Sequence, residues 1–143
     1  MYGMDYIKAL LASDGPTLAL TDGEALITSR ERGVKPLVEL IDGGRELRGY
    51  IAADKVVGKA AAMLYAVLGI AELYACVASE GAVEVCRKRG IRLTYGTLAP
   101  HIINRRGDGS CPMEKAVADI DDPFEALAAV RKTLAALGAG KQE

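Results

Sequence analysis

The chain has 143 residues, of which half are hydrophobic, and its formal net charge is −1 at pH 7. We expect one soluble globular domain over residues 1–143, large enough to bury a core, with a frayed tail at 139–143. The charge balance, the single Phe and the lack of Trp argue against a nucleic-acid partner, and the most apolar run, 60–68, is far shorter than a membrane span of about 20 residues.

The first third of the chain predicts a helix, a β-hairpin and a second helix. Apolar residues at helical spacing over 6–11 indicate a short amphipathic helix. Two apolar-rich runs, 17–21 and 24–29, flank Asp22-Gly23, a strong signal for a two-residue hairpin turn. After a polar link, Pro36 can open a short helix. The fold is therefore expected to contain an antiparallel pair of strands near its start.

A buried helix is expected after an extended segment at 50–53. Almost every residue from Val56 to Leu68 is apolar, and a helix that is apolar on all sides is buried, so this is the predicted central helix. Its first turn is expected within 54–59. The rest of the chain predicts, in order, a strand at 72–78, a helix at 80–89, a strand at 91–98, a helix at 112–120 and a helix at 123–137.

This order of elements predicts an α/β fold with a mixed sheet in three α/β/α layers. The hairpin supplies antiparallel strands, and the units with helix crossovers imply parallel strands with right-handed connections. Ligands in such sheets bind beyond the carboxyl ends of the parallel strands, where three helices are expected to begin, at 54–59, 79–82 and 111–114. Their free N–H groups and positive dipole ends would form a pocket for an anionic or carbonyl group of a small-molecule ligand.

Four short motifs accompany the hairpin and the helix–strand units. They are Gly58-Lys59-Ala60-Ala61-Ala62, Ile102-Ile103-Asn104-Arg105, Gly107-Asp108-Gly109 and Cys111-Pro112-Met113-Glu114-Lys115. This set resembles a small, uncharacterised prokaryotic family that is grouped by fold with the cytidine deaminase-like superfamily. The resemblance covers nearly the whole chain and implies a cytidine deaminase-like topology. It implies no activity, because the family has no established one.

The chain departs from the zinc deaminases at the residues that hold their metal. Those enzymes use a His or Cys at the start of the central helix and a Cys-x-x-Cys at the start of the following helix. The corresponding segments here, 54–59 and 79–82, contain neither residue type. We therefore predict no metal and no cofactor, and we interpret the deaminase chemistry as lost or replaced.

A charged, glycine-containing loop at 104–110 ends on Cys111, at the start of a predicted helix. Free backbone N–H groups and the helix dipole favour a thiolate there, so Cys111 is a candidate nucleophile or redox thiol. It could instead cap the helix or pack as a small apolar residue. Glu114, three residues later, either caps the amide of Cys111 or acts as a general acid or base.

The remaining cysteines and the single histidine carry weaker signals. Cys76 falls on a predicted buried strand and Cys86 on an apolar helix face, so both are interpreted as inert core thiols. Three cysteines form neither a Cys-x-x-Cys pair nor an even disulfide framework, and no signal peptide is visible, which favours a reducing, cytoplasmic compartment. His101 follows a proline and is interpreted as a loop residue rather than a base.

Seven polar residues are predicted to contact the ligand: Lys55, Lys59, Ser79, Glu80, Asn104, Arg105 and Asp108. Lys55 and Lys59 would lie four residues apart on one helix face, which is unfavourable unless an anionic group lies between them. That group could belong to a ligand or to the protein itself, from Asp54, Glu80 or Glu114.

The other predicted contacts have structural alternatives. Arg105 is the candidate for a bidentate contact with an anion. The apolar pair Ile102-Ile103 is expected to fix the chain just before Asn104 and Arg105. Asp108 lies between two glycines and is either a turn former or a polar ligand group. Ser79 and Glu80 most simply cap their helix, and Glu80 matters for the ligand only if it faces Lys59.

Three functions remain open at this point. The first is a metal-free enzyme in which Cys111 is the nucleophile or redox group and Lys59 and Arg105 stabilise charge. The second is a non-catalytic ligand-binding or regulatory module that uses the same residues. The third is a structural subunit that forms a homo-oligomer through its apolar last helix.

Overall fold

The computed structural model describes residues 2–12, 15–31, 33–45, 47–102 and 111–141. Its elements follow the chain in this order: helix α1 (Met4–Ala12), strands β1 (Leu18–Thr21) and β2 (Leu26–Ser29), helix α2 (Lys35–Asp42), strand β3 (Ile51–Val57), helix α3 (Lys59–Leu68), strand β4 (Glu72–Ser79), helix α4 (Glu80–Arg89), strand β5 (Arg92–Ala99), and helices α5 (Pro112–Val117) and α6 (Pro123–Lys141).

The strands form a mixed sheet in the order β2-β1-β3-β4-β5. Strand β1 is antiparallel to both of its neighbours, whereas β3, β4 and β5 are parallel to one another. The predicted α/β class, with a hairpin followed by parallel strands and helix crossovers, is confirmed. The carboxyl ends of β3 and β4 lie side by side, so α3 and α4 begin at the same edge of the sheet.

The predicted two-residue hairpin turn is wrong. The ladder between β1 and β2 ends at the pair Thr21 and Leu26, so the turn is the four-residue loop 22–25. The Asp22 carboxylate accepts hydrogen bonds from the N–H groups of Ala25 at 2.8 Å and Glu24 at 2.9 Å. These bonds hold the pKa of Asp22 below its usual value and fix the loop as an Asx turn.

Helices pack on both faces of the sheet, although on one face they contact mainly β1 and β3. On one face, Ile7 and Leu11 of α1 pack with Ala19 of β1 and Ala53 of β3. The main core lies on the other face, where α3 and α4 contact the parallel strands and α6 packs on α3. Because α3 is enclosed between the sheet and other helices, its residues 60–65 are all buried. The predicted buried central helix is confirmed.

The boundary between β3 and α3 differs from the prediction. Residues 54–57 continue β3 and pair with β4, and Asp54 also pairs with β1. Helix α3 begins at Lys59, after Gly58 in an extended conformation. The error arose because an apolar run does not distinguish a buried strand from a buried helix. Lys55 therefore lies on a strand, and the predicted like-charge pair with Lys59 on one helix face is wrong.

Two helix ends also differ from the prediction. Helix α5 ends at Val117 rather than at residue 120, and α6 continues through Gly138 to Lys141. A glycine inside a helix costs about 1 kcal/mol, and a helix of 19 residues packed against α3 and α5 tolerates that cost.

Candidate functional site

The start of α3 holds a carboxylate from a distant part of the chain. The first N–H groups of a helix have no partner inside the helix and carry its positive dipole end. Glu114 supplies both of its oxygens here: Oε1 accepts from the N–H of Lys59 at 2.7 Å, and Oε2 accepts from the N–H of Ala60 at 2.8 Å. Glu114 is thus a cap, as one prediction had it, but it caps α3 rather than its own helix. The Cys111 amide donates instead to the carbonyl of Ile102 at 3.2 Å.

Gly58 makes this contact possible. A Cβ atom at position 58 would overlap with Oε1 of Glu114, and it would lie 2.6 Å from Cδ of Glu114 and 2.9 Å from Cγ1 of Ile102. Only glycine therefore leaves room for the carboxylate to reach the amides of α3. The same contact places Ile102 beside the start of α3.

The starts of α3 and α4 are also in close contact. A Cβ atom at Gly81 would lie 3.2 Å from Cβ of Lys59 and 3.7 Å from Oγ of Ser79. Ser79 is only 2 % exposed, and its Oγ accepts a hydrogen bond from the N–H of Ala82 at 3.0 Å. The structure therefore brings together Lys59, Ser79 and Glu114, and it shows Ser79 as the buried cap of α4.

Beside these helix starts lies a small groove between α3 and α4, which we call the α3–α4 groove. Its volume is about 110 Å³. Lys59 and Met63 of α3 line it together with Gly81, Glu84 and Val85 of α4, and residues 88, 89 and 121 complete the lining. Met63 and Val85 are buried, so the groove has an apolar floor and a charged rim.

The charged side chains on the rim differ in whether they have a partner of opposite charge. Glu84 accepts a hydrogen bond from Arg87 at 2.6 Å, which holds the pKa of Glu84 below its usual value. The Lys88 ammonium lies 3.9 Å from the carboxylates of both Glu84 and Asp121. The Lys59 ammonium donates to the neutral carbonyl of Ala118 at 3.0 Å and makes no ion pair within the described ranges. The Arg89 guanidinium likewise donates to a backbone carbonyl, that of Asp121, at 2.6 Å. Lys59 and Arg89 are thus the cations of the groove whose charges a ligand could neutralise.

Other predicted ligand residues lie elsewhere. Lys55 is half-buried on β3, its N–H donates to the carbonyl of Thr17 at 3.1 Å, and it does not line the groove. Glu80 is exposed in the first turn of α4 and does not line the groove either. Three further predicted contacts lie outside the described residues: Asn104, Arg105 and Asp108.

Cys111 occupies the N-cap position of α5. It is half-buried, packs against the main core, and makes no capping hydrogen bond with its side chain. Cys86 is buried, and its burial raises the pKa of the thiol to about 11. Cys76 is half-buried against the core on the α1 side.

Two general features of the described chain bear on its chemistry. Within the described ranges, no three side chains of His, Cys, Asp or Glu are grouped so that they could hold a metal ion. None of the helices found there combines the length and the hydropathy needed to cross a bilayer.

The sequence did not predict the close contacts at Gly58 and Gly81 or the α3–α4 groove. Gly58 directly precedes a lysine inside an apolar run, and Gly81 lies in the first turn of a helix, where glycine is a poor helix former. A glycine at such a position indicates that another element of the fold approaches the backbone closely. The contact between Lys59 and the carbonyl of Ala118 could not be predicted, because every residue has a backbone carbonyl and none is marked as a partner in the sequence.

The fold and the site define an α/β domain with a mixed five-stranded sheet, whose candidate site lies where the helices after two parallel strands begin. Residues 6–134 match the family TM1506, described as "Domain of unknown function (DUF1893)", and the chain belongs to this family. It is similar to the crystal structure of a DUF1893 family protein (TM1506) from Thermotoga maritima, with a TM-score of 0.81, 27% identity and 92% of each chain covered. Among curated proteins, none matches the chain significantly.

Proposed function

We propose that this domain binds a small molecule with an anionic group at the α3–α4 groove, and that Lys59 is its main cationic contact. The observation that carries the proposal is the Lys59 ammonium, which borders a groove with an apolar floor and is bonded to a neutral carbonyl. The amides of Lys59 and Ala60 already hold the carboxylate of Glu114, which supports a preference for anions at this end of α3. The anionic group of the ligand is a carboxylate or a phosphate. A nucleotide-like ligand would supply a phosphate.

The segment 103–110 is proposed to add the contacts from Asn104, Arg105 and Asp108. Its two flanking residues, Ile102 and Cys111, are joined by a backbone hydrogen bond of 3.2 Å, and Ile102 lies beside Gly58. The residues on both sides of the segment therefore lie near the start of α3. This anchoring supports a role for these residues in ligand binding.

We further propose that the domain has the cytidine deaminase-like topology. The hairpin at one side of the sheet, followed by two parallel strand–helix units, supports this grouping. The starts of α3 and α4, where the zinc deaminases hold their metal, carry Gly58-Lys59-Ala60 and Ser79-Glu80-Gly81 here. The proposal is therefore ligand binding on this fold, without zinc-dependent deamination.

Native mass spectrometry of the protein purified from its host tests the proposed function. We expect a bound small molecule, visible as additional mass that is released when the protein is denatured. The mass of the free polypeptide alone, under conditions that preserve the fold, would contradict a retained ligand.

A catalytic role for Cys111 is a second candidate, favoured by one observation: its half-buried side chain, at the start of a helix, makes no capping bond. If the thiolate is catalytic, iodoacetamide should modify Cys111 rapidly even at pH 6. Peptide mapping after alkylation separates Cys111 from the half-buried Cys76, and the buried Cys86 should stay unmodified. Modification of Cys111 only above pH 8, at the rate of an ordinary thiol, would leave the non-catalytic binding module as the function.

Self-association is a third candidate function, and the observation that favours it concerns helix α6. Phe124 and Leu137 of this helix are 67 % and 42 % exposed, although both are large and apolar. Burial of these side chains against a second copy of the chain would be favourable. A monomer in analytical ultracentrifugation at every accessible concentration would exclude the homo-oligomer.

A further inference from the structure

A second cation shares the α3–α4 groove with Lys59. The Arg89 guanidinium at the end of α4 donates to the carbonyl of Asp121 at 2.6 Å, and the Lys59 ammonium donates to the carbonyl of Ala118 at 3.0 Å. Both carbonyls belong to the short connection between α5 and α6, and the Cα atoms of residues 118 and 121 can be no more than about 11 Å apart. One short segment of the chain therefore holds both cationic groups at the groove.

Neither cation makes an ion pair within the described ranges. The two acids that line the groove, Glu84 and Asp121, already have cations beside them. Arg87 and Lys88 lie beside Glu84, and Lys88 also lies beside Asp121. The groove thus has two positive charges that no described carboxylate neutralises. Its apolar floor lowers the local dielectric constant and so strengthens the attraction of these charges for an anion.

The volume of the groove limits the group that it can enclose. The groove measures about 110 Å³, whereas a cavity of about 150 Å³ is needed to hold benzene. Pockets that enclose a whole small molecule usually measure about 300–1,000 Å³. The groove therefore encloses one small anionic group of about five heavy atoms, and the rest of a larger ligand lies outside it.

We propose that the enclosed group is a phosphate in its doubly charged form, held by Lys59 and Arg89 together. This inference rests on the function proposed above and selects between its two kinds of anion. A carboxylate has one negative charge, so it neutralises one of the two cations and leaves the other. A phosphate group carries nearly two negative charges at pH 8, and its oxygens can accept from an ammonium and from the planar guanidinium at the same time. Free phosphate and a phosphate monoester both present this group.

Titration of the full chain with methyl phosphate, methyl sulfate and acetate at pH 8, followed by nitrogen-15 NMR, tests the proposal. Methyl sulfate has the shape of methyl phosphate but only one negative charge, so the comparison isolates the second charge. We expect methyl phosphate to bind at least about tenfold more tightly than the other two anions. The amide signals of residues 119 and 122, whose nitrogen atoms follow the two carbonyls, should shift together with those of the groove.

Arg89→Met tests the second cationic contact. This variant should bind methyl phosphate about tenfold more weakly than the wild type, and its affinities for methyl phosphate and methyl sulfate should agree within about threefold. Arg92→Met removes an exposed arginine outside the groove and should bind all three anions as the wild type does. Arg89→Lys keeps the charge without the planar fork, so its affinity should be intermediate, and it serves if R89M is unstable. Wild-type affinity for methyl phosphate in R89M would overturn the proposal.

The same titrations separate a failure of this inference from a failure of the proposed function. Binding of acetate and methyl sulfate in the groove as tightly as methyl phosphate would overturn the choice of phosphate and leave the proposed function intact. Absence of groove shifts with all three anions would contradict both. Inorganic phosphate and AMP distinguish the two sources of the group: tighter binding of AMP supports a phosphate monoester, and tighter binding of inorganic phosphate supports free phosphate.

Discussion

Replacement of Gly58 by alanine is expected to lower the free energy of unfolding by about 2–3 kcal/mol, although alanine adds a single methyl group. The new Cβ would overlap with the Glu114 carboxylate and press on Ile102. The carboxylate then has to move away, and the N–H groups of Lys59 and Ala60 lose their partner. Urea unfolding measures the loss, and amide hydrogen exchange should show reduced protection at residues 59 and 60.

Gly3 supplies the control for this substitution. A Cβ at Gly3 would meet no atom within 4 Å, so Gly3→Ala should change the free energy of unfolding by no more than about 0.5 kcal/mol. Equal effects of the two substitutions would show that the close approach of Glu114 to Gly58 does not exist in solution.

Replacement of Glu114 by alanine is expected to destabilise the domain by about 1–2 kcal/mol, because two amides at the start of α3 lose a charged acceptor. Glu114→Gln keeps one oxygen acceptor but removes the charge, so it should cost about half as much. Glu80 is the matched control, since it is exposed in the first turn of α4 and Glu80→Ala should cost no more than about 0.5 kcal/mol.

The double variant G58A/E114A tests whether Gly58 and Glu114 stabilise the domain through the same contact or through two independent interactions. Both substitutions act on one contact, so their combined cost should fall short of the sum of the single costs by at least about 1 kcal/mol. Strict additivity would mean that Gly58 and Glu114 stabilise the domain through separate interactions.

Much of the second half of the fold could be predicted because its signals are local. Ser79 accepts from the N–H group three residues later, and Gly90 takes the left-handed conformation with φ of 75°, as the sequence predicts for the two ends of α4. The alternation of strands and helices around α4 then implies parallel neighbours. These features depend on residues close together in the chain.

The errors arose where long-range contacts decide the structure. The strand at 54–57 is held by pairing with β1 and β4, which an apolar run does not reveal. Glu114 lies 55 residues from Lys59 in the sequence, and its role as a cap of α3 depends on the position of α5 in space. The clustering of Lys59, Ser79 and Glu114 could be predicted from the topology alone, because helices after parallel strands begin at one edge. Lys55 was placed with them only because β3 was predicted to end too early.

The central claim is that an anion binds beside Lys59, and titration with inorganic phosphate, acetate and AMP followed by nitrogen-15 NMR tests it most directly. We expect at least one of these anions to shift amide signals along the α3–α4 groove in the wild type and in Lys55→Met, which removes a lysine outside the groove. Lys59→Met should weaken that binding about tenfold, the loss of one charge-assisted contact. Equal binding by the Lys59→Met and Lys55→Met variants, or shifts confined to other surfaces, would contradict the account.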